Sequence, residues 1–158
     1  MIGAKTLLLG ALLALSGVGL GIAATTGKAP EPYAPGLGDF MTAYIQPHHT
    51  KLWLAGASGN WELAAYEANE LDETFSDVKT YKPSWKNVPV AKLVGAILKP
   101  SLRQVDAAIA AKNVTAFKSA YGGLTTACNA CHRAAGRSFI NIVVPATNPY
   151  ADQNLIGH

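Results

Sequence analysis

Apolar residues recur with helical spacing over four separate stretches of the chain, which predicts four helices. The first stretch covers residues 37–57, with Asp39 as a possible cap and Pro47 as an expected kink, because proline removes a backbone donor from a helix. The second begins after Asn60, an expected N-cap, and continues to about Thr80. Its predicted buried face consists of Ala64, Ala68, Leu71, Phe75 and Val78.

Two further helices follow a loop at residues 81–89 that is bracketed by prolines. The third is predicted from Pro89 to about Lys112, with Pro100 expected to bend or interrupt it. Its predicted core face consists of Val94, Ile97, Leu98, Leu102, Val105 and Ile109. The fourth starts after Asn113 as its N-cap. Its predicted face consists of Phe117, Tyr121, Leu124, Cys128 and Cys131.

The chain has no sustained alternation with period two. "FINIVV" at residues 139–144 is the one short strand-like run, and the sequence after it is irregular. Four helices with short connections, each with one apolar stripe, predict an all-α fold, an antiparallel four-helix bundle. The predicted organisation is a signal peptide at 1–23, a linker at 24–36, a helical domain at 37–143 and a tail at 144–158.

The N-terminal residues have the pattern of a secretory signal peptide. Lys5 precedes an uncharged stretch at residues 6–26, and Gly21 and Ala23 supply the small side chains of a cleavage site. This predicts export to the periplasm. The alternative is a retained membrane anchor, because the apolar run approaches the roughly 20 residues that span a bilayer. Membrane contact is expected only in that case.

Composition narrows the class of protein. A chain of 158 residues that is 49% hydrophobic is long enough for one domain with a core. A formal net charge of +3 with 15% charged residues argues against nucleic-acid binding. The second helical stretch is acidic and the sequence at residues 79–99 is basic. This division solvates two faces, lets neighbouring helices attract or steers a partner protein.

The two cysteines of the chain lie in one short motif, "CNACH", as Cys128 and Cys131, with His132 next to the second. Two thiols one helical turn apart can add to both vinyl groups at one porphyrin edge, and the adjoining imidazole then projects toward the iron. A zinc site normally needs four ligands, often two C-x-x-C pairs, and this chain has one such pair. A thioredoxin-like pair normally starts a helix that follows a strand, whereas Cys128 lies well inside a predicted helix. The motif therefore predicts one covalently attached haem c.

An exported four-helix chain with a single "CNACH" in its last helix resembles the cytochrome c-prime superfamily over residues 37–141. The resemblance implies that Cys128 and Cys131 form thioethers and that His132 is the proximal ligand. The superfamily includes five-coordinate high-spin members and related low-spin ones. This chain departs from the pattern in its C-terminal tail and in residues 45–67, so the resemblance does not specify the distal side of the haem.

The sixth ligand is expected from the first helix, because in an up-down bundle its start faces the end of the fourth. Residues 40–50 contain Met41, His48 and His49. Met41 and His48 are seven positions apart and share a face of a regular helix, whereas His49 is rotated by about 100°. The expected order is His48, then Met41, then an open site. The alternatives are a methionine that fills a core gap and histidines on the surface.

Three further side chains are candidates for contact with the haem. Trp53 is expected to pack on it, and Arg133 and Arg137 either pair with its propionates or stay solvated. Histidine or methionine ligation makes a one-electron carrier, whereas an open site binds NO or CO. A peroxidase would need a distal Arg and His pair with suitable spacing, and the sequence has none. A helical module without cofactor is the remaining alternative. We predict a non-enzymatic electron-transfer protein with redox partner proteins and a possible homodimer.

Overall fold

The computed structural model describes residues 33–156. The predicted signal peptide and most of the predicted linker lie outside this part of the chain. Within residues 33–156, no helix combines the length and the apolar character that crossing a membrane requires.

Four helices pack against one another and confirm the predicted all-helical class. Helix α1 covers residues 37–57 in three continuous segments, Leu37–Asp39, the π-helical Phe40–Ile45 and Gln46–Ala57. Helix α2 is Trp61–Tyr81. Helix α3 covers residues 90–110 as Val90–Leu93, the π-helical Val94–Leu98 and Lys99–Ala110. Helix α4 is Val114–Ala134. The described residues contain no strand beyond an isolated bridge between Trp85 and Val88.

Asparagine caps start α2 and α4, as predicted. The side-chain oxygens of Asn60 and Asn113 accept hydrogen bonds from the backbone N–H three residues later, at 3.3 and 2.9 Å. Asp39 is not an N-cap. It lies inside α1, and its carboxylate accepts a hydrogen bond from the N–H of Gly36 at 2.8 Å, which satisfies a free donor at the helix start.

Pro47 and Pro100 interrupt neither helix, because a π-helical segment precedes each of them. A proline ring clashes with the carbonyl four residues earlier and offers that carbonyl no donor. A π turn, with hydrogen bonds from i to i+5, accommodates both effects. It also inserts one residue into the helix, which moves every later side chain by about 100° relative to a regular α-helix. Two residues that share a face from opposite sides of such a segment are therefore one position further apart than in a regular α-helix.

The predicted apolar faces form the core. All five residues predicted for α2 and all five for α4 are buried. On α3 the predicted residues are buried except Ile97, which is partly buried. Helices α1 and α4 run in opposite directions, because His49 contacts Tyr121 while Gly56, further along α1, faces Phe117, which is nearer the start of α4. The start of α1 therefore lies beside the end of α4.

The residues after α4 have no regular secondary structure, and the strand-like run at 139–144 forms no strand. They nevertheless pack against the helices. Leu155 is buried, and the ammonium group of Lys51 on α1 lies 4.8 Å from the ring centroid of Tyr150. The end of the described chain is thus part of the folded unit.

Candidate functional site

A cavity of about 140 Å³ lies where the start of α1 meets the end of α4. All four helices and the residues after α4 contribute to its wall, which is mainly apolar. Its principal lining residues are Met41, Ile45, His49, Phe75, Leu98, Cys128, Cys131, His132, Ile140 and Ile142. The structure therefore brings Cys128, Cys131 and His132 to the same cavity as Met41.

Cys128 and Cys131 are buried and are not joined in a disulfide. Burial raises the pKa of Cys128 to about 12, with a smaller contribution from the neighbouring Cys131. Burial also raises the pKa of Cys131. Both side chains are therefore neutral thiols near pH 7, whereas the thiolate is the form that attacks disulfides or binds metal ions.

The imidazole of His132 is oriented by the chain that follows α4. Its Nδ1 lies 3.1 Å from the backbone oxygen of Ile140. A carbonyl oxygen only accepts hydrogen bonds, so Nδ1 is the donor in this contact and Nε2 is the nitrogen left for a metal ion. Histidines that bind metal ions usually donate their second N–H in this way. The tautomer of His132 is thus the one that an Nε2 ligand requires.

The two adjacent histidines of α1 have the reverse of the expected placement. His49, expected to point elsewhere, is only 5% exposed and lines the cavity. His48, expected to face it, lies outside the lining and places its Nδ1 2.6 Å from the buried carboxylate of Glu67 on α2. The π-helical segment Phe40–Ile45 explains the correction, because its inserted residue puts Met41 in phase with position 49 instead of position 48.

Both ring nitrogens of His49 are engaged within the core. Nδ1 lies 2.8 Å from the hydroxyl of Tyr121, and Nε2 lies 3.2 Å from the hydroxyl of Thr125. The Tyr121 hydroxyl also donates to the backbone oxygen of His49 at 2.8 Å. Burial lowers the pKa of His49 to about 4 and raises that of Tyr121, so both groups are neutral near pH 7. His49 would have to give up a hydrogen bond to bind a metal ion.

Trp53 and Arg133 are not in the cavity wall. Trp53 packs against α4, with ring centroids 6.3 Å from Phe117 and 5.0 Å from Tyr121. Arg133 is exposed. Arg137 places its guanidinium 4.3 Å from the ring centroid of Trp85. These three side chains would therefore contact a haem only if the residues around the cavity mouth moved.

Sequence analysis missed the contribution of residues 135–142. Ile140 and Ile142 line the cavity, and Asn129 holds Ile142 through two hydrogen bonds of 2.7 and 2.8 Å. Gly136 has a φ of 68° at the end of α4, where a glycine commonly closes a helix. The glycine is visible in the sequence as a stop signal, but nothing in the pattern indicates where the following residues return.

Comparison of the chain with known protein families, with characterised proteins and with solved structures found no match. Within residues 33–156, no three or more His, Cys, Asp and Glu side chains are grouped so that they could hold a metal ion among them.

The residues around the cavity fit a covalently attached haem in their chemistry. The two thiols are unpaired, an imidazole nitrogen is available next to them, and the remaining wall is mainly apolar. The space is smaller than the roughly 300–1,000 Å³ of pockets for larger organic ligands. Attachment therefore requires side chains of the wall to move aside. Ile140 and Ile142 belong to the only non-helical part of that wall among the described residues, so we expect their side chains to move while their backbone groups keep the hydrogen bonds to His132 and Asn129.

Proposed function

We propose that the protein is an exported c-type cytochrome that transfers single electrons, with a haem attached to Cys128 and Cys131. His132 is the proximal ligand and Met41 the sixth ligand. The observation that supports this most directly is the shared cavity, which contains the side chains of all four residues. When bound, haem supplies a one-electron iron couple, while the protein determines its ligands, solvent exposure and partners.

The residues of the cavity have distinct roles in this proposal. His132 offers Nε2 because its Nδ1 proton is held by Ile140. Ile45, Phe75 and Leu98 provide an apolar wall that keeps water from the site. A methionine opposite a histidine gives a higher reduction potential than a second histidine does.

Met41 is favoured over the two histidines because its ligand atom is uncommitted. His48 would have to leave the buried carboxylate of Glu67, and His49 would have to leave Thr125 or Tyr121. Giving up the partner of a buried polar group costs about 1–3 kcal/mol. Met41 lines the cavity, and its thioether has no hydrogen bond of this kind to give up.

The periplasm and a redox partner protein belong to the proposal through the sequence alone. The leader pattern supports export, and complementary charge supports transient encounters. Part of the charge division has a structural role, because the Lys99 ammonium on α3 pairs with the Asp72 carboxylate on α2. The Lys86 ammonium lies 4.8 Å from the ring centroid of Trp85, and the other lysines of residues 79–92 are available for a partner.

The first test is attachment of the haem. The chain is expressed with a c-type maturation system, and its pyridine haemochrome spectrum and intact mass are measured. We expect one haem per chain with the spectrum of two thioether bonds. A colourless protein, or one whose haem is removed by acidic solvent, contradicts the proposal.

The second test identifies the sixth ligand. The Soret and visible bands of the reduced protein are recorded with and without CO. We expect no prompt change in the wild type, and a clear change in Met41→Ala because that variant has lost its sixth ligand. His48→Gln is the matched control and should behave as the wild type. Prompt CO binding by the wild type would instead support the five-coordinate protein that binds NO or CO.

A further inference from the structure

The chain reverses direction directly after α4. The N–H of Arg137 donates to the oxygen of His132 at 2.7 Å, and the N–H of Gly136 donates to the oxygen of Arg133 at 3.0 Å. With the positive φ of Gly136, this pair of bonds is a Schellman motif, which ends a helix and turns the chain. We call residues 135–142 the return segment, because they run back beside the last turns of α4.

Asn129 anchors the far end of the return segment. Its Oδ1 accepts from the N–H of Ile142 at 2.7 Å, and its Nδ2 donates to the oxygen of Ile142 at 2.8 Å. A side-chain amide that pairs with both backbone groups of one residue acts like a neighbouring strand. These two bonds fix the position and the rotation of Ile142 together.

Ile140 lies between the two anchors, and its oxygen accepts from Nδ1 of His132. Ile140 is 42% exposed, so burial holds it less firmly than it holds the core residues. Its N–H donates to the oxygen of Arg137 at 2.9 Å, within the turn that starts at Gly136. The position of the Ile140 carbonyl therefore depends on this turn at one end and on Asn129 at the other.

We infer that Asn129, which directly follows Cys128 in the motif, is a positioning residue for the proximal ligand His132. By holding Ile142 it keeps the Ile140 carbonyl on the Nδ1 proton of His132. This inference rests on the proposed function. A hydrogen bond donated by the second ring nitrogen makes the imidazole a stronger donor, which favours the oxidised iron. Asn129 thereby lowers the midpoint potential without touching the haem ligand itself.

The test compares holoproteins of the wild type, Asn129→Ala and Leu155→Ala. Leu155 is buried in the tail outside the cavity wall, so its truncation loosens the tail without removing an anchor of the return segment. Haem content is measured first by pyridine haemochrome, and every later value is taken per haem. The two readouts are the midpoint potential and the rate at which the His132 Nδ1 proton exchanges with solvent. The exchange rate is measured by ¹⁵N NMR of the reduced protein.

We expect Asn129→Ala to exchange this proton at least tenfold faster than the wild type and to have a higher midpoint potential. A tenfold change in the relative stabilisation of the two oxidation states corresponds to 59 mV. Leu155→Ala should keep the potential of the wild type. Gly136→Ala, which strains the other anchor, should move both readouts in the same direction as Asn129→Ala.

An unchanged potential and exchange rate in fully loaded Asn129→Ala overturn the inference and leave the proposed function intact. Absence of haem from the wild type contradicts the proposed function first. If Asn129→Ala does not mature, Asn129→Asp replaces it, because a carboxylate still accepts from the N–H of Ile142 but cannot donate to its oxygen. Wild-type values in that variant and in Gly136→Ala also overturn the inference.

Discussion

At the scale of single residues, the adjacent histidines of α1 differ in chemistry because they occupy different environments. His48 remains partly exposed and pairs with Glu67, whose carboxylate is only 1% exposed. His49 is buried among neutral hydroxyls. A rotation of about 100° between neighbouring positions of a helix is enough to separate a hydrogen-bond partner of Glu67 from a residue of the cavity wall.

His49 makes stability depend on pH. Burial lowers its pKa from 6.5 to about 4, so between these values the unfolded chain binds a proton here and the folded protein does not. We therefore expect its contribution to stability to be complete above pH 6.5 and to fall by up to about 3 kcal/mol as the pH drops to 4. Urea unfolding at pH 4.5 and 7.5 measures the effect. His49→Gln should have a smaller difference between the two pH values, and an undiminished difference would contradict this origin.

His48 stabilises the buried carboxylate of Glu67. Replacement by leucine leaves that carboxylate without its hydrogen-bond partner at 2.6 Å, so we expect His48→Leu to lose about 1–3 kcal/mol of stability at pH 7. The double variant with Glu67→Leu removes both groups and should recover part of the loss. Urea unfolding of the two variants decides the matter. Equal losses in the two variants would contradict an unpaired buried carboxylate as the source of the loss.

At the scale of elements, the π-helical segments set which side chains face the cavity. In α1, the segment Phe40–Ile45 brings Met41 and His49 to one face although they are eight positions apart. In α3, the π-helical segment Val94–Leu98 likewise lies directly before the turn that contains Pro100. A proline thus changes the register of a helix here without ending it.

The close approach of α1 and α4 depends on Gly56. A Cβ at this position would lie 2.2 Å from the Phe117 ring, which is fully buried and cannot move aside cheaply. We expect Gly56→Ala to lose about 1–3 kcal/mol of stability. Gly122→Ala on α4 is the control, because a Cβ there has nothing within 4 Å, and helix propensity should stabilise it by up to about 1 kcal/mol. Thermal unfolding of both variants should give shifts of opposite sign, and a neutral Gly56→Ala would contradict the contact.

At the scale of the whole molecule, the four helices and the return segment surround a mainly apolar cavity of about 140 Å³. A closed cavity of this volume would cost about 3 kcal/mol at about 24 cal/mol per Å³, which is an upper limit because this one has an opening to solvent. We expect the holoprotein, in which a haem fills the space, to have a higher free energy of unfolding than the unattached chain. Urea unfolding of the holoprotein and of the Cys128→Ala/Cys131→Ala variant made without haem measures it. Equal stabilities would mean that the cavity is not filled on attachment.

Helix positions, most caps and the buried faces of α2 and α4 were predictable from the sequence. These features depend on side chains three or four positions apart and on groups that bond within one turn, so local pattern specifies them. The motif Cys128, Cys131 and His132 is local in the same sense, because three neighbouring positions of one helix necessarily lie together. The covalent haem itself stays a prediction.

Tertiary structure decided the rest of the candidate site. A π-helical segment depends on packing as well as on proline, and a shift of one residue exchanged His48 for His49 at the cavity. Tyr121 reaches His49 across 72 positions of the chain, and no local pattern specifies such a contact. The return of Ile140 to His132 likewise depends on the turn at Gly136 and on Asn129. Sequence alone determined which residues are helical and that Cys128, Cys131 and His132 lie together, whereas packing determined which other residues line the cavity beside them, because a contact between distant elements forms only when the elements are assembled.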